Sequence, residues 1–191
     1  MFLRTLATTA CCTLLATAGL AQMSHQTGNI KPALQAEGQP LLSPPATADV
    51  TLNGKAVTIH YNSPRIKGRT VGVEVAPYGK IWRTGANPAT TLITATNLKI
   101  GTLDVPAGTY TIYSLPEAPG TPWQLIINKQ TGQWGTVYKP EMDLGRTPMT
   151  AKPVSPPQEA MSITFENVHG KKGELHVRWA DVDEYVKIEA K

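Results

Sequence analysis

"VTLNGKAVTIHYNSP", residues 50–64, decides the fold. Val57, Ile59 and Tyr61 alternate with Thr58, His60 and Asn62, so an apolar face and a polar face recur with a period of two. Ahead of them stands Asn53–Gly54, a dipeptide that tight hairpin turns favour because both residues tolerate positive φ. The stretch predicts a strand, half buried, entered through a hairpin. The pattern then repeats along the chain. "TTLITATNLKIGTLDVPAGTYTIYSLP" (90–116) reads as β-rich runs broken at Gly101 and at Pro106–Gly108. Trp123, Leu125 and Ile127 share one face, as do Ile163 and Phe165, then Leu175, Val177 and Trp179, then Val186 and Ile188. Beyond the first twenty-odd residues, no window of eleven residues or more carries a helical stripe.

Seven or more short strands with Gly/Pro turns predict an all-β, antiparallel β-sandwich of jelly-roll-like type, with a closed barrel as the alternative. "TPMTAKPVSPPQEA" (147–160) reads as a Pro-rich surface crossover between strands. Tyr110 and Tyr113 fall on opposite faces of their run, which predicts one in the core and one exposed.

The N-terminal end is of another kind. "MFLRTLATTACCTLLATAGLAQ" (1–22) has a basic start at Arg4, an apolar middle and small residues at Gly19 and Ala21. That order predicts a signal peptide over 1–21, hence export to the periplasm or beyond. The leader before Cys11 or Cys12 is too short for a lipoprotein signal, and the apolar run is too short for a spanning helix. Both cysteines fall inside it, so residues 22–191 have neither thiol nor disulfide and must fold by core burial. Residues 22–49, rich in Gln and Pro with no clear period, read as a flexible linker in which Leu41 and Leu42 can dock onto the domain. The domain itself is expected over 50–191. A formal net charge of +4, with the basic residues scattered and only Lys171–Lys172 adjacent, argues against nucleic acid as a partner.

Several pieces together carry a resemblance. "PYGKIWRTGAN" (77–87), "VPAGTYTIYSLP" (105–116), "WQLIINKQTGQWG" (123–135), "DLGRTPM" (143–149) and "LHVRWADVDEYVKIEAK" (175–191) follow Ser63–Pro64 and Gly68–Arg69 in order. In this the chain resembles a bacterial exported family known as domain-of-unknown-function family 2911. The resemblance covers about 50 to 191 and implies a fold and a compartment, but no reaction. Relatives commonly carry an acidic residue after the Asn of WRTGAN, where this chain has Pro88.

Tyr78, Trp82, Arg83, Gly85 and Asn87 crowd into one short run. An indole offers a face for stacking on a sugar ring, a guanidinium is a fork for carboxylate or phosphate, and an amide serves hydroxyls as donor and acceptor. The competing reading makes Trp82 a core plug and the rest turn chemistry. In "HYNSPRIKGR" (60–69), His60 and Asn62 face outward beside Arg65, Lys67 and Arg69, a set suited to an anion or merely to solvent. His60 is the acid/base candidate, although no nucleophile or orienting carboxylate stands at a recognisable spacing. Trp134, between glycines in "TGQWG", is the second stacking platform.

Metal ligation has little support. No two histidines are spaced as ligands, and His169, His176 and Glu174 offer the one set worth testing. No cofactor motif occurs. The expectation is therefore an exported, non-enzymatic module binding a polyhydroxylated or anionic, glycan-like small ligand through Tyr78, Trp82, Arg83, Asn87, Arg65 and Asn62. Two alternatives stand beside it: a cell-envelope protein-protein interaction module, and a hydrolase or isomerase using His60.

Overall fold

The computed structural model describes residues 42–191. The expected leader and residues 22–41 of the expected linker lie outside the described residues. Strands β1 (Pro45–Leu52) and β2 (Lys55–Asn62) form the hairpin, with Leu52 opposite Lys55. Asn53 and Gly54 turn the chain with φ of 50° and 73°, the pair of left-handed residues that a two-residue turn of the right twist requires. There follow β3 (Thr90–Thr94), β4 (Leu98–Ile100), β5 (Leu103–Val105), β6 (Gly108–Leu115) and β7 (Gln124–Asn128). One 3-10 turn, Pro140–Met142, precedes β8 (Asp143–Pro148), β9 (Thr150–His169) and β10 (Lys172–Ala190).

The fold is all-β. Six strands in the order β1-β2-β3-β6-β7-β8 make one antiparallel sheet, and β5-β4-β10-β9 make the other. The β4–β5 hairpin is the segment between β3 and β6 that the first sheet lends to the second. One core lies between the sheets. Leu52, Val57, Ile59, Leu92, Ile112, Leu125 and Ile127 meet Leu98, Ile100, Val105, Leu175, Val177, Val186 and Ile188 there. The alternation in residues 57–61 is realised: Val57, Ile59 and Tyr61 are buried, and His60 is exposed. Each large aliphatic side chain so removed from water contributes roughly 1.5–3 kcal/mol.

Four local expectations change. β1 begins at Pro45, inside the stretch expected as linker; Ala46, Ala48, Val50 and Leu52 alternate inward, but two of the four are alanines and only Ala48 and Leu52 are fully buried, so the apolar face is a weak one. Leu42 is 61% exposed and does not dock. Apart from Met149, where β8 passes into β9, residues 147–160 are strand rather than crossover loop; Pro153, Pro156 and Pro157 are tolerated because they sit on the exposed outer strand, where a missing N–H costs little. Tyr110 and Tyr113 do face opposite sides, but both are buried, since loop residues 129–138 cover the outer face of the larger sheet over Tyr113.

β10 is not straight. A straight strand would separate Lys171 from Ala190 by roughly 60 Å. Instead the N–H of Ala190 donates to the carbonyl of Lys171 at 2.8 Å. The strand doubles back at Ala180, whose φ is 52°, and β9 shifts register on both sides of that point. β9 pairs with the first half of β10 from Gln158 onward and with the second half through Thr150–Pro153.

At this bend Trp179 stacks on Trp82, with ring centroids 5.7 Å apart and planes 14° apart, while Trp82 meets Trp123 edge-on at 6.4 Å. Trp82 is also held by both backbone bonds to Ser114 of β6, each 2.8 Å. The triad joins β10, β7 and the loop before β3. Trp179→Ala should therefore destabilise the domain by about 3–5 kcal/mol in chemical denaturation; a loss below ~1 kcal/mol would show that the stack carries little.

Candidate functional site

Strand register lines up one polar row across the outer face of the larger sheet. Thr47, His60, Thr91, Thr111, Asn128 and Asp143 stand opposite one another from β1 through β2, β3, β6 and β7 to β8. Such a row would ordinarily face water. Here Thr91, Thr111 and Asn128 are buried, because residues 83–89 and 129–138 fold over them. The floor is satisfied by hydrogen bonds, as buried polar groups must be. Thr111 Oγ1 donates to Gln130 O at 2.7 Å, Gln133 Nε2 donates to Thr111 Oγ1 and to the Tyr113 hydroxyl at 3.0 Å each, and that hydroxyl donates to Val137 O at 2.8 Å. At its far end Asp143 accepts from Asn128 Nδ2, from the Tyr138 hydroxyl and from Arg146. Burial and the Asp143 carboxylate push the Tyr138 hydroxyl up to about 12.

The two covering loops are tied to each other. Ala89 N donates to Gln133 O at 3.2 Å, and Gly135 N to Asn87 O at 3.1 Å. Two residues of the first loop hold left-handed backbone, Thr84 at φ 51° and Asn87 at 59°. For β-branched Thr84 that conformation is strained, and its hydroxyl is locked to Ser114 Oγ at 2.8 Å. Gly135 is required by contact: a Cβ there would lie 2.1 Å from Arg83 Cδ and 2.8 Å from Asn87 O. The backbone of the second loop thus lies flat on the Arg83 stem.

Extended backbone at Trp82 sends successive side chains opposite ways. The Trp82 indole goes to the core, its Nε1 donating to Gly85 O at 3.2 Å, and Arg83 goes outward under Gly135. Arg83 has no hydrogen-bond or ion-pair partner among the described residues, and its buried Nε is orphaned. Burial alone acts on it, holding its pKa below the usual guanidinium range. The Asn87 amide is likewise unengaged among these residues. Trp134, bridged to Pro88, is 44% exposed, while Trp123 and Trp179 are buried at 5% and 4%. Gln130 Oε1 and Gln133 Oε1, in the same loop, are buried without donors.

The structure therefore brings the backbone of Arg83, Asn87 and Trp134 together at one rim, while the Trp82 indole lies beneath it in the core. Asn62 adjoins the rim through its backbone, its carbonyl accepting from Ala86 N at 3.1 Å, but its amide donates away to Ser43 O at 2.9 Å. His60 is on the same sheet face, bonded at Nδ1 to Thr47 Oγ1 at 3.1 Å and to no carboxylate. Tyr78 lies past the end of β6, its ring over Gly72, where a Cβ would come within 2.1 Å of Cζ. Arg65 is bridged to Ala160 of β9, and its carbonyl accepts from Arg69 Nη2 at 2.7 Å, so the basic loop closes on itself.

Of the His169, His176 and Glu174 set, the structure brings Glu174 to His176 but not His169, and the rest of the cluster around them was not legible in the sequence. Where β10 doubles back, Asp183 returns to His176 (Nδ1 to Oδ1 2.8 Å) and to Arg178 (Nε to Oδ2 2.8 Å). Arg178 forks onto both oxygens of Glu166, whose pKa it holds low, and Glu174 Oε2 lies 3.3 Å from His176 Nε2. Tyr185 stacks on the imidazole at 4.9 Å and leaves it 0% exposed. This geometry clasps the halves of β10 together and gives no solute a path to the ring. Among the described residues no group of three or more His, Cys, Asp or Glu has metal-binding geometry.

Comparison with known proteins yields one match. A family model described as "Protein of unknown function (DUF2911)" matches residues 43–188. No curated protein and no solved structure matches the chain.

Next to Asp183, Glu184 points to the core side and is 5% exposed, with Oε2 unpartnered. Burial first, and then the Asp183 charge, raise its pKa from 4.5 to about 7. The folded state thus binds a proton that the unfolded chain has released, so the stability cost is absent below about pH 4.5, grows as pH rises, and is complete above about 7. Glu184→Gln should gain stability relative to wild type between pH 5 and pH 8, by on the order of 1–2 kcal/mol once solvent screening is allowed for. Denaturant midpoints at the two values check this; an unchanged difference would place an ionised Glu184 in the folded protein at both.

Proposed function

The chain belongs to the DUF2911 family, and from that premise we propose that it is an exported, non-enzymatic binding module for a small polyhydroxylated, glycan-like ligand. One observation carries the reading. Trp134 is the one tryptophan of the described residues that stands substantially open to solvent, on a loop held rigid by a buried polar floor and by contact of Gly135 with Arg83. An exposed indole on a loop tied to the one that carries an unengaged amide and guanidinium suits a ring with an apolar face and polar edges. The stacking platform is Trp134; Trp82, half buried against Trp179 and Trp123, fixes the backbone that presents Arg83 and Asn87.

The leader pattern of residues 1–21 supports export. His60 has a threonine and no carboxylate as its hydrogen-bond partner, and His176 is enclosed, so neither is favoured as a general base on a solute. One stack and a few hydrogen bonds supply about −4 to −6 kcal/mol, an affinity from millimolar to tens of micromolar.

The test is titration of the full chain with neutral mono- and oligosaccharides, followed by tryptophan fluorescence and calorimetry. Trp134→Ala should abolish binding and leave the domain folded, at a cost in folding free energy of about 1–2 kcal/mol for the buried part of the ring. Wild-type affinity in that variant, or no saccharide bound at millimolar concentration, would sink the proposal.

A further inference from the structure

We propose that the ligand of the Trp134 rim is acidic, a uronic-acid-type sugar whose carboxylate is bound by Arg83; this rests on the reading of that rim as a binding site. The other arginines of the described residues are paired or solvated. Arg69 donates to Ile66 O and Arg65 O, Arg146 to Asp143 and Tyr138, and Arg178 to Glu166 and Asp183. Arg65 is exposed and solvated. Arg83 alone of the described arginines is partly buried and yet meets no acceptor.

A cation taken partly out of water without a counter-charge is costly, and folds ordinarily pair it. Arg83 neither caps a carbonyl nor stacks on Trp82, whose face is occupied by Trp179. No carboxylate acts on it; burial is the sole influence on its pKa. The site is electrostatically incomplete until an anion arrives.

Geometry narrows the anion. Gly135 pins the stem, so little side-chain freedom remains to be lost on binding. With Nε enclosed, the terminal nitrogens are left to meet a ligand, and their planar pair matches the two oxygens of a carboxylate. Trp134 and Asn87 stand on the two loops that meet over the Arg83 stem, through Gly135 N to Asn87 O and the bridge from Pro88 to Trp134, and their indole and amide can take the ring and hydroxyls of the same molecule. A pyranose bearing a carboxylate satisfies all three groups at once.

Calorimetry of the full chain with galacturonate and glucuronate, against galactose and glucose, tests this. The uronates should bind at least ~10-fold more tightly, a difference of about 1.4 kcal/mol, and 0.5 M salt should erode the preference. Arg83→Gln should bring uronate affinity down to that of the neutral sugar, and Arg83→Lys should restore part of it. Arg83→Gln should also melt no lower than wild type without ligand, whereas a structural arginine would lower the melting temperature. Equal affinity of wild type for acidic and neutral sugars would overturn the inference and leave the binding reading standing. So would a preference for glucose 6-phosphate over glucuronate. If neither class binds at millimolar concentration, the rim is no sugar site and both readings fall.

Discussion

The stack of Trp82 on Trp179 is the contact on which the rest of the structure depends. It joins two places that the chain separates by almost a hundred residues: the loop entering β3 and the bend of β10. Trp123 closes the group edge-on from β7. With Trp82 anchored in the core and bonded to Ser114 on both backbone groups, the next residue has one direction left, and Arg83 emerges on the outer face. Orientation at the rim thus originates in burial beneath it. The same packing explains why a loop with two left-handed non-glycine residues keeps one conformation.

The outer face of the larger sheet shows how a polar surface becomes a floor. Threonines 91 and 111, Asn128 and Tyr113 would be ordinary solvent-facing residues on a bare sheet. Covered by residues 129–138, they become buried groups that each need a partner, and the covering loop supplies its own carbonyls and Gln133. A loop held by that many directional bonds behaves as part of the scaffold, which is what a binding rim requires. Two amide oxygens and the Arg83 Nε stay unpaired in this otherwise satisfied layer. The only other buried polar side-chain atoms without a partner among the described residues, Trp179 Nε1 and Glu184 Oε2, lie at the bend of β10.

The opposite sheet spends its charges differently. Around the bend of β10, His176, Asp183, Arg178, Glu166 and Glu174 answer one another across strands, and Tyr185 seals the imidazole. Every ring and guanidinium nitrogen that His176 and Arg178 direct into this cluster meets a carboxylate, so the cluster works as a clasp. Arg178 and Arg83 make the contrast plain. One guanidinium is forked onto carboxylates of its own fold and the other is left without one, and that difference separates a structural arginine from one available to a ligand.

The sequence by itself determined the architecture, because alternation with period two is a local property of neighbouring residues. Val57, Ile59 and Tyr61, the Asn53–Gly54 turn and the runs around Leu125 and Leu175 specify half-buried strands without reference to anything distant. It also brought Arg83, Asn87 and Trp134 forward as residue types fit for recognition. Tertiary structure alone decided which indole is open. Trp82 and Trp134 both stand beside turn-forming residues, and only the position of Trp179, far along the chain, assigns the first to the core. The pairing of His176 with Glu174 was within reach of the sequence, two residues apart on one strand face, but the rest of the clasp was not: no Gly or Pro announces the reversal at Ala180, so nothing local places Asp183 beside the imidazole. The strand at 150–160 was hidden by its prolines, which are tolerated because that strand lies at an edge, and whether a strand is an edge is settled by how the sheets assemble.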